Sequence, residues 1–388
     1  MSDTAVGISN PRRLEQLNGT EQGCPMGELL RRFWHPVALA DSVTPGNARP
    51  LRILSEDLTL YRGESGTPHL VAGHCPHRRT LLHTGWVQGE ELRCIYHGWK
   101  FNSAGKCTEA PAEGEAVTSK VRIPAYPIRE YCGLLFAYMG PGAPPEFNLP
   151  RNAAFEREGG MAIPRVQDWP CHWFAHVENS LDAVHVSFVH QAGKVGEFGK
   201  AITSAIPKLE YFETDAGIRQ IATRSPTNVR ISDWTFPNNN HILVPGLPGD
   251  PWIDIGIWMT PIDNEHTARF LIYSLPDGAE AHERFRAYFQ KFASYNPADH
   301  HDDLLLRKIY PEEPILQLTG AQDYVATMGQ GVRPDRSLER LGKSDAGIVF
   351  LRRLFLREMA ALANNEPKKW KRLDHGIELP KPQNLRNA

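Results

Sequence analysis

Two short pairings of cysteine with histidine stand out in this chain. Cys75-x-His77 is followed, sixteen residues later, by Cys94-x-x-His97. Two such pairs on neighbouring loops can close on one metal centre. Equal numbers of thiolate and imidazole ligands suit Zn²⁺, or a [2Fe–2S] cluster in which thiolates hold one iron and imidazoles the other. Zinc sites favour Cys-x₂₋₄-Cys and His-x₃₋₅-His pairs, so Cys-x-His turns the reading toward iron and sulfur. Tyr96, Trp99 and Phe101 surround the second pair and can shield a cluster from water. Gly73, Gly85 and Gly98 permit tight loops.

A second constellation lies in HVENSLDAVHVSFVH. Asp182 precedes His185 by three residues, His190 follows by five, and Glu178 and Asn179 lie one turn further back. The segment reads as a helix, on which residues three apart share a face. A five-residue offset carries His190 about 140° round, so a distortion or helix end near Ser187 is needed for both imidazoles to meet one metal. Two histidines and one carboxylate form the facial triad of non-haem Fe(II) oxygenases, which leaves positions open for O₂. Ordinary polar residues on a half-exposed helix produce the same pattern. Candidates for the carboxylate are Asp302, Asp303, Asp323 and Asp335. His300, His301, Asp302 and Asp303 read as a solvated helix start, where Asp caps the first turn. His172 and His176 read as a structural pair. Cys24, Cys107, Cys132 and Cys171 have no partner pattern and read as free thiols.

The elements that must position these groups follow from the rest of the chain. It has 388 residues, enough for two or three domains. Its net charge of −2 gives no electrostatic reason to seek nucleic acid or an anionic membrane. The longest apolar run, Cys132 to Gly140, is far short of the roughly 20 residues of a spanning helix. The opening MSDTAVGISN lacks a basic stretch followed by an apolar one, so a cytoplasmic protein is expected. The 31 prolines and 32 glycines favour strands and loops. PMGELLRRFW (25–34) reads as a short helix. From Leu51 to Met139, runs such as LTLYRG, LRCIYH and LLFAYM predict a small all-β domain. GPGAPPEFNLPR (140–151) reads as a linker. Beyond it, IRQIATR, HILVPG, IDIGIWM and ARFLIYSL predict an antiparallel sheet over 202–275. Helices follow at 280–295 and 345–364, and a basic tail follows Glu366. The second half is therefore α+β. The expected division is a helical segment at 1–34, a β domain at 35–150 and a catalytic domain at 151–388.

The Cys-x-His…Cys-x-x-His segment resembles the Rieske cluster motif. TEQGCPMGELLRRFWHPV, Asp-x₂-His-x₄-His with Asn179 or Glu178 upstream, and TGAQDYVATMGQGVRPDRSLERLGKSDAGIVFLRR resemble the phthalate dioxygenase-like branch of the Rieske non-haem iron oxygenases. Arg79 stands where many relatives carry a small residue. The resemblance runs from Leu17 to Leu362. It implies a Rieske domain followed by a helix-grip domain, an antiparallel sheet wrapped around a helix. It implies a terminal oxygenase (α-type) subunit. Electrons enter at a [2Fe–2S] cluster on Cys75, His77, Cys94 and His97 and pass to Fe(II) on His185, His190 and Asp323, the Asp of the Gln-Asp pair. It also implies a homotrimer in which Asp182 bridges His185 and the neighbour's His97.

No Gly-x-Gly-x-x-Gly fingerprint is present, so a separate NAD(P)H-dependent reductase of flavin or ferredoxin type is expected. Branch relatives carry out cis-dihydroxylation, ether cleavage or O-demethylation of aromatic acids, and the metal residues do not choose among these. Arg219, Arg224 and Arg230, with Trp234, Phe236, Trp252 and Trp258 nearby, could supply a cation for a carboxylate and a slot for a ring. Strand alternation turns only some of them inward. A Rieske-type electron carrier without oxygenase chemistry is the alternative of a different class, and a zinc-binding module is a third. About two irons per chain mark a carrier and about three an oxygenase.

Overall fold

The computed structural model describes residues 11–147, 153–191 and 203–366. The chain divides into two compact units. One is Leu30–Phe147, and the other joins the described residues before Leu30 to those after Phe147.

The smaller unit consists of three antiparallel sheets. Trp34–Leu39 pairs with Leu134–Tyr138, which pairs with Ile128–Tyr131. Ala48–Ile53, Glu56–Arg62, Pro68–Ala72 and Ala125–Tyr126 form the second. Trp86–Gln88, Glu91–Arg93, Lys100–Phe101 and Cys107–Glu109 form the third. Strands of two to seven residues suit the Gly- and Pro-rich sequence, in which few apolar runs are long enough for more. The core beneath the third sheet gathers Tyr61, Leu92, Phe101 and Ile123 around Cys75 and Cys94. The helix read over 25–34 ends at Leu30, and the chain is already extended at Trp34.

The larger unit is organised by one seven-stranded antiparallel sheet. Across it run Met161–Trp169, Thr267–Leu275, Ile253–Pro261, Asn239–Val244, Asn228–Thr235, Gly217–Ser225 and Lys208–Glu213. The last six form a meander, so the hydrogen-bond register follows from short turns. Ile253–Pro261 and Thr267–Leu275 are buried at every position, because both faces of the sheet are covered there. At the edge, Lys208–Glu213 alternates exposed and half-buried.

The connection from the first strand to the meander carries the helix Trp173–Leu181, which lies on the strands at the middle of the sheet. Behind it packs Ala346–Ala363, whose Phe355 meets Phe174 at 5.0 Å and Trp173 at 5.8 Å between ring centroids. A Phe355→Ala cavity there would cost about 3–5 kcal/mol. A third helix, Ile315–Met328, contacts the same inner helix and brings Asp323 to it. The helix expected over 280–295 is the shorter Ala279–Gln290, because Lys291 closes it.

Candidate metal centres and cavity

The two Cys/His loops are built alike. Cys75 N donates to Thr80 O and Arg79 N to Cys75 O; Cys94 N donates to Trp99 O and Gly98 N to Cys94 O. Each loop therefore closes on its cysteine four residues on, and the residue there is left-handed: Arg79 at φ +62° and Gly98 at φ +75°. That geometry favours a small residue at the first position. Arg79 adopts it at a cost of about 1–2 kcal/mol.

Cys75 and Cys94 are buried, and the rings of His77 and His97 lie 4.5 Å apart. His77 stacks flat on Trp99 at 4.6 Å, and its Nδ1 is buried without a hydrogen-bond partner among the described residues. Burial, with the Cys94 thiol alongside, pushes the Cys75 thiol up to about 12. Two buried cysteines, one of them held in its thiol form, and an orphaned imidazole nitrogen are the environment that a cationic iron–sulfur group resolves. The four residues fit the cluster.

The second constellation departs from a continuous helix. Trp173–Leu181 ends at Asp182, which is extended at φ −92°, ψ 105°. Asp182 Oδ1 accepts from Val184 N at 2.8 Å and from His185 N at 3.4 Å. This local cap starts the short helix Val186–Val189, flanked by His185 and His190. The helix end expected near Ser187 falls at Val189, and the break at Asp182 precedes both histidines. His185 (φ −54°, ψ −36°) and His190 (φ −92°, ψ −1°) flank the short helix with helical torsions, and their rings stand 5.6 Å apart.

Asp323 completes a group in which one ligand atom from each residue lies within 4.8 Å of the others. Its Oδ1 is 3.5 Å from both His185 Nε2 and His190 Nε2. Asn179 Nδ2 donates to the same oxygen at 3.4 Å. Burial alone would raise the Asp323 carboxyl; the two imidazoles and Arg269 hold it well below the usual carboxylate range. His185 is correspondingly raised by Asp323 and Asp182 against the cost of its burial. The charge a proton supplies here is the charge a divalent metal would supply, and the donor set suits Fe(II).

Of the other acids weighed, Asp303 pairs with exposed Arg307, Asp302 stands in the first turn of His301–Leu305, and Asp335 caps Ser337. Gln322 was missed. Its Oε1 accepts at 2.9 Å from His190 Nδ1, which leaves Nε2 with its lone pair toward Asp323. Adjacency to Asp323 in the Gln-Asp pair was the available signal. Glu178 turns away from the metal side to the buried guanidiniums of Arg352, at 2.6 Å, and Arg336, at 3.3 Å.

A cavity of about 580 Å³ opens beside the triad. Arg224 and Arg230 line it, with Ile242, Ile253, Ile255 and Met259 on its apolar side. Arg224 and Arg230 lie on adjacent strands, Arg230 being opposite Ala222. Arg224 keeps Nε and Nη1 buried without a partner among the described residues, and its Nη2 donates to Ala183 O at 3.3 Å. Burial, with Arg224 near, lowers Arg230 to about 10, still cationic at neutral pH. Arg219 is corrected: one residue out of phase, it forks onto Asp233 at 2.6 and 2.7 Å on the opposite face. The tryptophan slot is corrected too. Trp234 and Phe236 pack on Phe355, Trp258 stands near Phe155 on the other face, and Trp252 is not among the lining residues. Pleat alternation gives the cavity its aliphatic wall.

Comparison with known proteins agrees with this geometry. Residues 33–127 match the Rieske [2Fe-2S] domain. The chain is 36% identical over 362 residues to the 5,5'-dehydrodivanillate O-demethylase oxygenase subunit of Sphingobium sp. (strain NBRC 103272 / SYK-6), covering 89% of this chain and 80% of that one. It is 30% identical over 377 residues to the phthalate 4,5-dioxygenase oxygenase subunit of Pseudomonas putida, covering 89% and 85%. The terminal oxygenase of carbazole 1,9a-dioxygenase from Nocardioides aromaticivorans IC177 shares the fold, with a TM-score of 0.67 at 17% identity over 91% of this chain and 98% of that one. Relatives that are oxygenase subunits along most of their length set aside the electron-carrier and zinc-module readings. The cofactors are accordingly a [2Fe–2S] cluster and a mononuclear iron. The chain belongs to the Rieske non-haem iron oxygenases, as a terminal oxygenase subunit of their phthalate dioxygenase-like branch.

Proposed function

We propose that this subunit oxidises an aromatic carboxylate, by ring hydroxylation or by aryl-ether cleavage of the O-demethylation kind. The observation that carries the proposal is a triad opening onto an apolar cavity into which Arg224 and Arg230 face, neither ion-paired among the described residues. Cys75, His77, Cys94 and His97 hold the cluster, and His185, His190 and Asp323 hold the iron. When bound, the two groups supply stored electrons and an open coordination site for reducing O₂.

The chain's own residues do the rest. Arg224 and Arg230 seat the carboxylate, where an anion relieves both their mutual repulsion and their lost hydration. The Ile242, Ile253 and Ile255 wall takes the ring and excludes water. Gln322 fixes the His190 tautomer, and Asn179 steadies the Asp323 oxygen. Relatives named for dehydrodivanillate and phthalate support this class.

Electrons come from a separate NAD(P)H-dependent reductase, of flavin or ferredoxin type, in keeping with solved oxygenase–ferredoxin complexes of the same fold. The chain forms a homotrimer in which Asp182 bridges His185 to the neighbouring His97. In support, Asp182 remains 30% exposed beyond its cap. Exposed apolar side chains also flank both partners: Ile95 and Tyr96 beside His97, and Phe188 near His185. Among the described residues no helix is long and apolar enough to cross a membrane, and we place the protein in the cytoplasm.

A panel of benzoates, phthalates, methoxybenzoates and uncharged arenes, with a surrogate reductase, tests the reading. Formaldehyde selects O-demethylation and a cis-diol selects dihydroxylation. Arg224→Met and Arg230→Met should raise KM for the acid alone. Equal turnover of uncharged arenes, with KM unmoved in both variants, would overturn it.

A further inference from the structure

His176 sits one turn before Asn179 on the inner helix and belongs to neither metal set. It is only 2% exposed, yet it lines the cavity that holds His185, His190 and Asp323. Neither of its ring nitrogens has a hydrogen-bond partner among the described residues. The ring lies flat on Trp169, with centroids 4.5 Å apart and planes 16° apart. Stacking, not hydrogen bonding, therefore sets its tilt.

Other buried donors around the stack are unpaired as well, namely Trp169 Nε1 and Arg269 Nε. The Arg269 guanidinium lies 5.0 Å from the Trp169 ring, and its Nη1 donates to Gln167 Oε1 at 3.1 Å. Arg269 also acts electrostatically on both His176 and Asp323, which places this polar patch on the carboxylate side of the cavity. Orphaned polar atoms of residues lining a cavity are what ordered internal water satisfies, given two to four partners. Burial, with Arg269 near, keeps the imidazole neutral, its value lowered to about 3. One nitrogen then donates while the other accepts.

The reaction gives such a corner a use. Cis-dihydroxylation joins arene, O₂, two electrons and two protons into a diol. Monooxygenation takes the same O₂, two electrons and two protons and returns one hydroxylated product and one water. Both branches consume two protons, and the cavity wall that seats the ring is aliphatic.

We propose that His176 seats an ordered water beside the triad and relays into the cavity a proton that this water takes up from solvent, so that the water is restored. A proton added at the accepting nitrogen is matched by one released from the opposite N–H. The imidazole begins and ends neutral, in exchanged tautomers. The inference rests on reading His185, His190 and Asp323 as the iron site.

Two measurements test it. A crystal structure of the iron-free protein, at a resolution that shows water, should place a water within hydrogen-bond reach of a His176 ring nitrogen. His176→Phe keeps the stack on Trp169 and should lose that water. No water at either nitrogen in the parent protein overturns the proposal while leaving the iron ligands untouched. Iron loading of the parent tests those ligands separately. With cluster spectrum and iron content unchanged, His176→Phe should lower kcat by ~10²-fold at constant KM and divert O₂ to peroxide. His176→Asn, which keeps a donor and an acceptor, should recover part of the coupling. Parent-like coupling in His176→Phe overturns the relay.

Discussion

Asp323 and Gln322 are neighbours in sequence with different tasks, and the difference is measurable. In the proposed iron site Asp323 offers a ligand atom, whereas Gln322 fixes which His190 nitrogen is free. Asp323→Ala should empty the mononuclear site while leaving the cluster absorption intact. Gln322→Leu should keep the site but weaken iron by about 10–100-fold. Metal titration of the two variants compares them directly, and equal retention of iron in both would reject the assignment. At the cluster, His77→Cys should keep iron bound and lower the reduction potential, because thiolate brings a negative charge that imidazole does not. An unchanged potential would exclude His77 as a ligand.

At the scale of elements, the inner helix is held by one buried ion network. Glu178 meets Arg352 and Arg336, and Arg352 also forks onto Glu339 at 2.6 and 3.1 Å. Breaking a buried pair by removing one charge strands the other, so Glu178→Gln should cost about 3–5 kcal/mol in urea unfolding. The sign of the pH effect follows. Burial would raise the Glu178 carboxyl, but Arg336 and Arg352 outweigh it and hold the carboxyl below its ordinary value. Its contribution is therefore fully present above the unfolded value of about 4.3 and is lost as pH falls through the lower folded value. The stability gap between parent and Glu178→Gln should narrow as pH drops below about 4.3. A gap that stays constant would show that the carboxylate charge is not what anchors the helix.

For the whole molecule, the proposed trimer makes Asp182 a shared residue. One carboxylate oxygen caps the turn before His185, and the side chain remains partly exposed. Asp182→Asn keeps an oxygen for that cap and removes the charge. Both metals should stay bound and the cluster should reduce at its normal rate, while product formation collapses by ~10²-fold or more. Normal turnover in that variant would reject the inter-subunit bridge. Sedimentation of the same preparation checks the trimer independently.

What could be read from the amino-acid order was chemistry whose partners are close in the chain. Cys75 with His77, Cys94 with His97, and Asp182 with His185 are each set by a few backbone torsions, so their spacing is informative. The meander from Lys208 to Leu275 was legible for the same reason, since short turns pair consecutive runs. The resemblance singled out Asp323; residue types alone left four acids open. Only the packing of Ile315–Met328 on the inner helix brings Asp323 to two imidazoles more than 130 residues earlier. The three arginines show the other limit. Arg219, Arg224 and Arg230 are equivalent by composition, but the pleat sends Arg219 to Asp233 and the other two to the cavity. His176 read as structural because its significance is the absence of partners around a buried ring, and that exists only once Trp169, Arg269 and the triad are folded around it. Local torsions act over a few residues and leave their mark in the sequence; burial and long-range pairing arise from the closed fold, and they decided which polar groups face the cavity beside His185, His190 and Asp323.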